Sequence, residues 1–163
     1  MSELAFLSAT QLAAKIQSRE ISSEELLRLY FERIDRYNGD LNAIVVQRRD
    51  EAVAAAKKAD QEIAEGSDQL GALHGVPMTV KESYGVAGTP STWGIPEMKD
   101  NVVESDALPI QRLRMAGAII LAKQTFLYDS PIFKATTRST VQRTIPGIEL
   151  EVPAAHRAVP PPR

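Results

Sequence analysis

The chain has 163 residues, 44% hydrophobic and 25% charged, an ordinary globular composition and enough for one small domain with its own core. A formal net charge of −2 supplies no basic face to neutralise a phosphate backbone, so no nucleic-acid partner is expected. Cysteine is absent and His74 and His156 are the only imidazoles, which excludes disulfides and thiolate chemistry; neither a metal site nor a cofactor is expected.

In chain order, Met1 to Leu7 lacks the basic start and long apolar run of a signal peptide. No apolar stretch approaches the roughly 20 residues that span a bilayer. The cytoplasm is therefore the expected compartment, with no membrane partner, and the oligomeric state stays open. Ser8 with Gln11 three residues on forms a capping box, and Leu12, Ala13 and Ile16 give the first helix an apolar face. Ser22 and Glu25 repeat the box for a second helix, in which Leu26, Leu29, Tyr30, Arg33, Ile34 and Tyr37 recur at helical spacing and Asn38-Gly39 is the expected stop. Residues 42–47 read as a short buried strand through Ile44-Val45-Val46, and residues 49–65 as an alanine-rich helix closed by Gly66.

Residues 76–81 read as a further strand, and 82–104, broken by Gly85, Gly88, Pro90 and Gly94, as a loop. Ser105 or Asp106 is the expected cap of a helix reaching Ala116, with Pro109 in its first turn and Gly117 as its stop. Residues 118–122 form a strongly apolar strand. Strands alternating with helices predict an α/β layer. From Phe126 the character changes: six of the ten prolines lie from Pro131 onward, no strand or helix period survives, and the segment reads as a disordered tail. The expected division is a partial domain over 1–125 and a disordered or aberrant tail over 126–163.

The chemically informative run is Gly71-Ala72-Leu73-His74-Gly75-Val76-Pro77-Met78-Thr79-Val80-Lys81-Glu82. It resembles the strand of the amidase-signature family that delivers the catalytic lysine. The likeness continues through Gly85-Val86-Ala87-Gly88, Thr92-Trp93-Gly94, Asp106-Ala107 and Arg112 to Ala118, and extends back to Ser22 to Leu26 and Leu41-Asn42-Ala43. The resemblance implies an α/β N-terminal fragment of that family's mixed-sheet fold with flanking helices. It implies hydrolysis of amide C–N bonds in full-length relatives by a Ser–cis-Ser–Lys triad acting on a small-molecule amide, and it gives the lysine's role to Lys81. A lysine that accepts a proton must be neutral, and burial is what favours the neutral form. It would then activate the bridging serine, which activates the nucleophile, while backbone N–H groups hold the oxyanion. Spacing alone reads Lys81 as a solvated strand-end lysine. The neighbours have structural readings: Ser83, Ser91 and Ser105 as loop or cap residues, His74 as the fixer of a turn, Trp93 as a packed loop residue, and Glu82 as an exposed charge.

The family's Gly-Gly-Ser-Ser-Gly-Gly-Ser segment is absent, and with it both serines and the oxyanion donors, so the chain alone is expected to be inactive. A shift of reading frame accounts for this. When each residue supplies the last two bases of a new codon, residues 153–163 permit Gly-Gly-Ser-Ser-Gly-Gly-Ser-Ala-Ala-Ala, residues 143–147 permit Asn-Asn-Pro-Trp-Asp, and residues 131–134 permit Asp-Phe-Gln-Ser. These stand in the family's order, so the tail reads as a frameshifted translation beginning near Tyr128. Two other readings stay open: a fragment of the amidase subunit of a tRNA-dependent amidotransferase, and a non-catalytic stub that binds a partner.

Overall fold

The computed structural model describes residues 3–93 and 95–125. Helices α1 (Ala9–Gln17) and α2 (Ser23–Leu41) precede strand β1 (Ile44–Gln47) and helix α3 (Arg49–Ala64). Strand β2 (Pro77–Lys81), helix α4 (Leu108–Met115) and strand β3 (Ile119–Gln124) follow, with single 3-10 turns at Glu3–Phe6 and Pro96–Met98. The strands form one mixed sheet in the order β1-β3-β2, with β3 antiparallel to β1 and parallel to β2. The expected α/β class with flanking helices is what the chain adopts. The expected disordered tail, 126–163, lies outside the described residues.

The central position of β3 explains its composition. A strand paired on both edges and covered on both faces needs a continuous apolar run. Ile119, Ile120, Leu121 and Ala122 are all buried. Side chains alternate across a strand, so Ile119 and Leu121 pack with Leu27 and Phe31 of α2 and Ala52 and Ala56 of α3, while Ile120 packs with Val80, Val86 and Ile110. A third cluster joins Leu12, Ala13 and Ile16 of α1 to Leu26, Ile63 and Val76. Each buried aliphatic side chain contributes roughly 1.5–3 kcal/mol.

Both capping boxes form: the Ser8 and Ser22 hydroxyls accept from the backbone N–H of Gln11 and Glu25, whose side chains return to the cap N–H groups. The N-terminus of α2 has a second cap from across the fold. Asp60 of α3 accepts from the N–H groups of Ser23 at 2.7 Å and Glu24 at 3.0 Å.

Strand β1 starts at Ile44 instead of residue 42, and three other boundaries differ from expectation through specific contacts. Helix α2 does not stop at Asn38-Gly39 but runs to Leu41, with Asn42 left-handed at φ 48°. Asn38 is used otherwise: its side chain accepts from the N–H of Ile44 and donates to that residue's carbonyl, pinning the start of β1. Helix α4 begins after Ala107 with no side-chain cap, because the Asp106 carboxylate accepts from the Ala87 N–H and from Arg114. Strand β3 continues two residues past Ala122, because both neighbours pair with Lys123 and Gln124.

The connection into β2 is held by close backbone approach. The Leu73 N–H donates to the Ala116 carbonyl and the Gly75 N–H to that of Gly117. Gly117 has φ +87°, and a Cβ there would lie 2.6 Å from the Cα of His74, so only glycine fits.

Candidate active site at the end of β2

Parallel pairing sets Val80 beside Lys123 and Lys81 beside Gln124. The ladder runs one bond further, as the N–H of Glu82 donates to the Gln124 carbonyl at 2.8 Å. The Gln124 side-chain amide donates to the Thr79 hydroxyl across the same two strands. Lys81 therefore sits on a doubly anchored strand end, where its backbone is fixed. Its side chain is exposed. The burial that a neutral lysine base requires is not provided by the described residues.

Glu82 reverses its expected role. It is only 5% exposed, and its carboxylate accepts from the backbone N–H of Thr92, from the Thr92 hydroxyl at 3.2 Å, and from the N–H of Trp93 at 3.0 Å. A buried carboxylate is tolerated when its oxygens are hydrogen-bonded in this way. Trp93, expected as a packed loop residue, lies in the loop with much of its surface open. It is 42% exposed and left-handed at φ 54°, a conformation uncommon outside glycine.

Sequence reading passed over Lys123. It is fully buried (0%), and its ammonium donates to the Pro90 carbonyl at 2.5 Å. Burial pushes its pKa below the usual lysine range, opposed by the nearby Glu82 charge. It is not placed to act as a base, because it is enclosed and spent on a backbone carbonyl, whereas a base must reach its substrate. The available signal was that the apolar run from Ala118 ends on a lysine still inside the sheet.

The remaining neighbours are structural. His74 is buried, and its Nε2 lies 3.1 Å from the Ala59 carbonyl, which ties the turn before β2 to α3. Ser91 is buried, and its N–H donates to the Asn101 carbonyl, while the Asn101 side chain returns to the Ser91 carbonyl. Among the described residues there is no group of three His, Asp or Glu side chains that could hold a metal ion, and no helix long and apolar enough to cross a membrane.

This strand, turn and helix arrangement has known counterparts. The family model described as Amidase matches residues 25–145. The chain belongs to the amidase family. That match encloses β2, Lys81 and β3, and it extends past Thr125 into the segment assigned to the tail. An acylamidase of Rhodococcus erythropolis is 38% identical over 120 residues, 74% of this chain and 25% of the relative. A glutamyl-tRNA(Gln) amidotransferase component of Acidothermus cellulolyticus is 36% identical over 76% of this chain and 24% of its own length. The solved structure of a fatty acid amide hydrolase superposes with a TM-score of 0.69 at 26% identity, covering 74% of this chain and 21% of that one. This amidase-family chain thus spans about a quarter of the length of the curated relatives it matches.

Proposed function

We propose that the chain carries the lysine-bearing part of an amide C–N hydrolase, with Lys81 as the general base of a Ser–cis-Ser–Lys triad acting on a small-molecule amide in the cytoplasm. The observation behind this is the place of Lys81: the last residue of β2, fixed by the β3 ladder, inside the segment matched by the amidase family. Its exposure here fits a base whose cover and serine partners belong to the roughly three quarters of the relatives that this chain does not span. Without those serines the lysine has no nucleophile to activate and no oxyanion site to serve, so the chain as it stands is inactive in this reading. Residues 126–163 are, in the same reading, a frameshifted translation starting near Tyr128.

Restoring the frame near Tyr128 and supplying the downstream coding sequence tests all of this. The restored protein should hydrolyse simple amides or esters, and Lys81→Ala should abolish turnover without unfolding it, since this reading assigns Lys81 to proton transfer and not to packing. Retention of most activity by Lys81→Ala removes Lys81 from the base role. Turnover by the chain as it stands overturns the reading of it as incomplete. The amidotransferase reading draws on the likeness to the Acidothermus cellulolyticus protein. It predicts that the restored protein is efficiently active only when supplied with partner subunits and tRNA.

A further inference from the structure

Two oppositely charged side chains are buried beside Lys81, and both spend their hydrogen bonds on one turn. Glu82 grips the N–H groups of Thr92 and Trp93, and Lys123 grips the carbonyl of Pro90. From the far side, the turn is held by the bridge between Pro90 and Val102 and by the reciprocal bonds of Ser91 with Asn101. A pair of ions is an expensive way to fasten a loop, because each must leave water. Lys123 is among the largest of the fully buried side chains, and Glu82 is buried with it. Both ions also lie at the strand ends that carry the site: Glu82 follows Lys81 in the chain, and Lys123 pairs with Val80, the residue before it. The turn holds Trp93 exposed and left-handed, a conformation the Glu82 carboxylate stabilises through the Trp93 N–H.

We infer that Glu82 and Lys123 are positioning residues that act as one clamp, locking the turn at residues 90–93 to the end of β2 and so fixing the surroundings of Lys81. The inference rests on the reading of Lys81 as the base, which gives the fixed surroundings their use. The clamp itself touches no substrate. Lys123 works through the Pro90 carbonyl, Glu82 through two amides, and removal of either releases the same turn.

The test uses the full 163-residue chain and its single tryptophan, Trp93. Glu82→Gln and Lys123→Met keep side-chain size while removing the charge. Each should leave amide protection in α2 and α3 within about twofold of wild type, yet raise exchange at the Thr92 and Trp93 amides at least about tenfold and shift the Trp93 emission maximum. The NMR signals of the Lys81 side chain should move in both variants. The double variant should be no worse than the more severe single one, because both act on one turn. The clamp is overturned if the Thr92 and Trp93 amides stay protected in a folded variant, if the double effect is additive, or if the turn loosens while the Lys81 signals stay put. Should Lys123→Met fail to fold, Glu82→Gln alone decides. None of these readouts needs turnover, so failure of the clamp and failure of the base assignment are separate results.

Discussion

Asp106 shows how one carboxylate replaces a cap that the sequence appeared to promise. Its desolvation would raise its pKa, but the Ala87 N–H and the Arg114 guanidinium outweigh that and hold it below the ordinary aspartate range. Since the folded-state pKa lies below the unfolded one, the stabilisation is complete above the unfolded value of about 3.9 and is lost as pH falls through the folded value. Asp106→Asn should therefore cost on the order of 1 kcal/mol near neutrality. In urea titrations at a series of pH values, the gap from wild type should close as pH drops below about 3.9. A gap that stays constant down to the most acidic condition would mean the loss is steric. The same residue illustrates a limit of local reading: Asp106 precedes a helix, but its partners are nineteen residues upstream and eight downstream. Lys123 and Glu82 were hidden for the same reason, since a lysine ending an apolar run and a glutamate after a strand look solvent-facing until the loop that covers them is placed.

The elements legible in the sequence are those whose signals are local. Both capping boxes and the apolar faces of α1 and α2 lie within a few residues of chain, and both helices start where those signals place them. The end of α2 was not legible, because Gly39 stays helical and the left-handed residue that stops the helix is Asn42, while the Asn38 side chain is bound to Ile44. The N-terminus of α2 is the junction of the fold. Besides its own box, it takes Asp60 from α3, and the buried Ser23 hydroxyl donates to the Gly75 carbonyl at 2.6 Å just before β2. Asp60→Ala should thus destabilise the chain by about 1–2 kcal/mol, as expected for loss of a helix cap. Ser22→Ala, which leaves Asp60 in place, should cost less, about 1 kcal/mol or under. Denaturant midpoints of the two variants check the order, and a midpoint unchanged by Asp60→Ala would mean that the second cap contributes nothing.

Within the described residues the sheet ends at β1 on one side and β2 on the other, so two strands each have one edge without a strand partner. Apolar side chains also face water, with Met115 83% exposed and Leu108 57% exposed on α4. A groove of about 370 Å³ between α2 and β2 is walled by Tyr30, Ile34 and Met78. Open strand edges next to apolar surface favour association. The purified chain should show concentration-dependent oligomers by sedimentation and a broad, low thermal transition. A monomer with one sharp transition would contradict this. The reading of Lys81 as a site residue comes only from family resemblance, because its exposure and strand-end position are those of any solvated lysine.

The place of β3 between β1 and β2 also governs the order of assembly. It is the last described element in the chain, yet among the described strands it alone pairs with the other two. During synthesis, α1, α2 and α3 emerge first and can begin to pack, while β1 and β2 wait without a common partner. Ile119 to Gln124 must appear before either ladder closes, and Lys123 cannot grip the Pro90 carbonyl until the same moment. A nascent chain halted before Ile119 would be a helical cluster without a sheet, and one released after Thr125 would protect the amides of both ladders together. The backbone around Lys81 is thus set in a single late step.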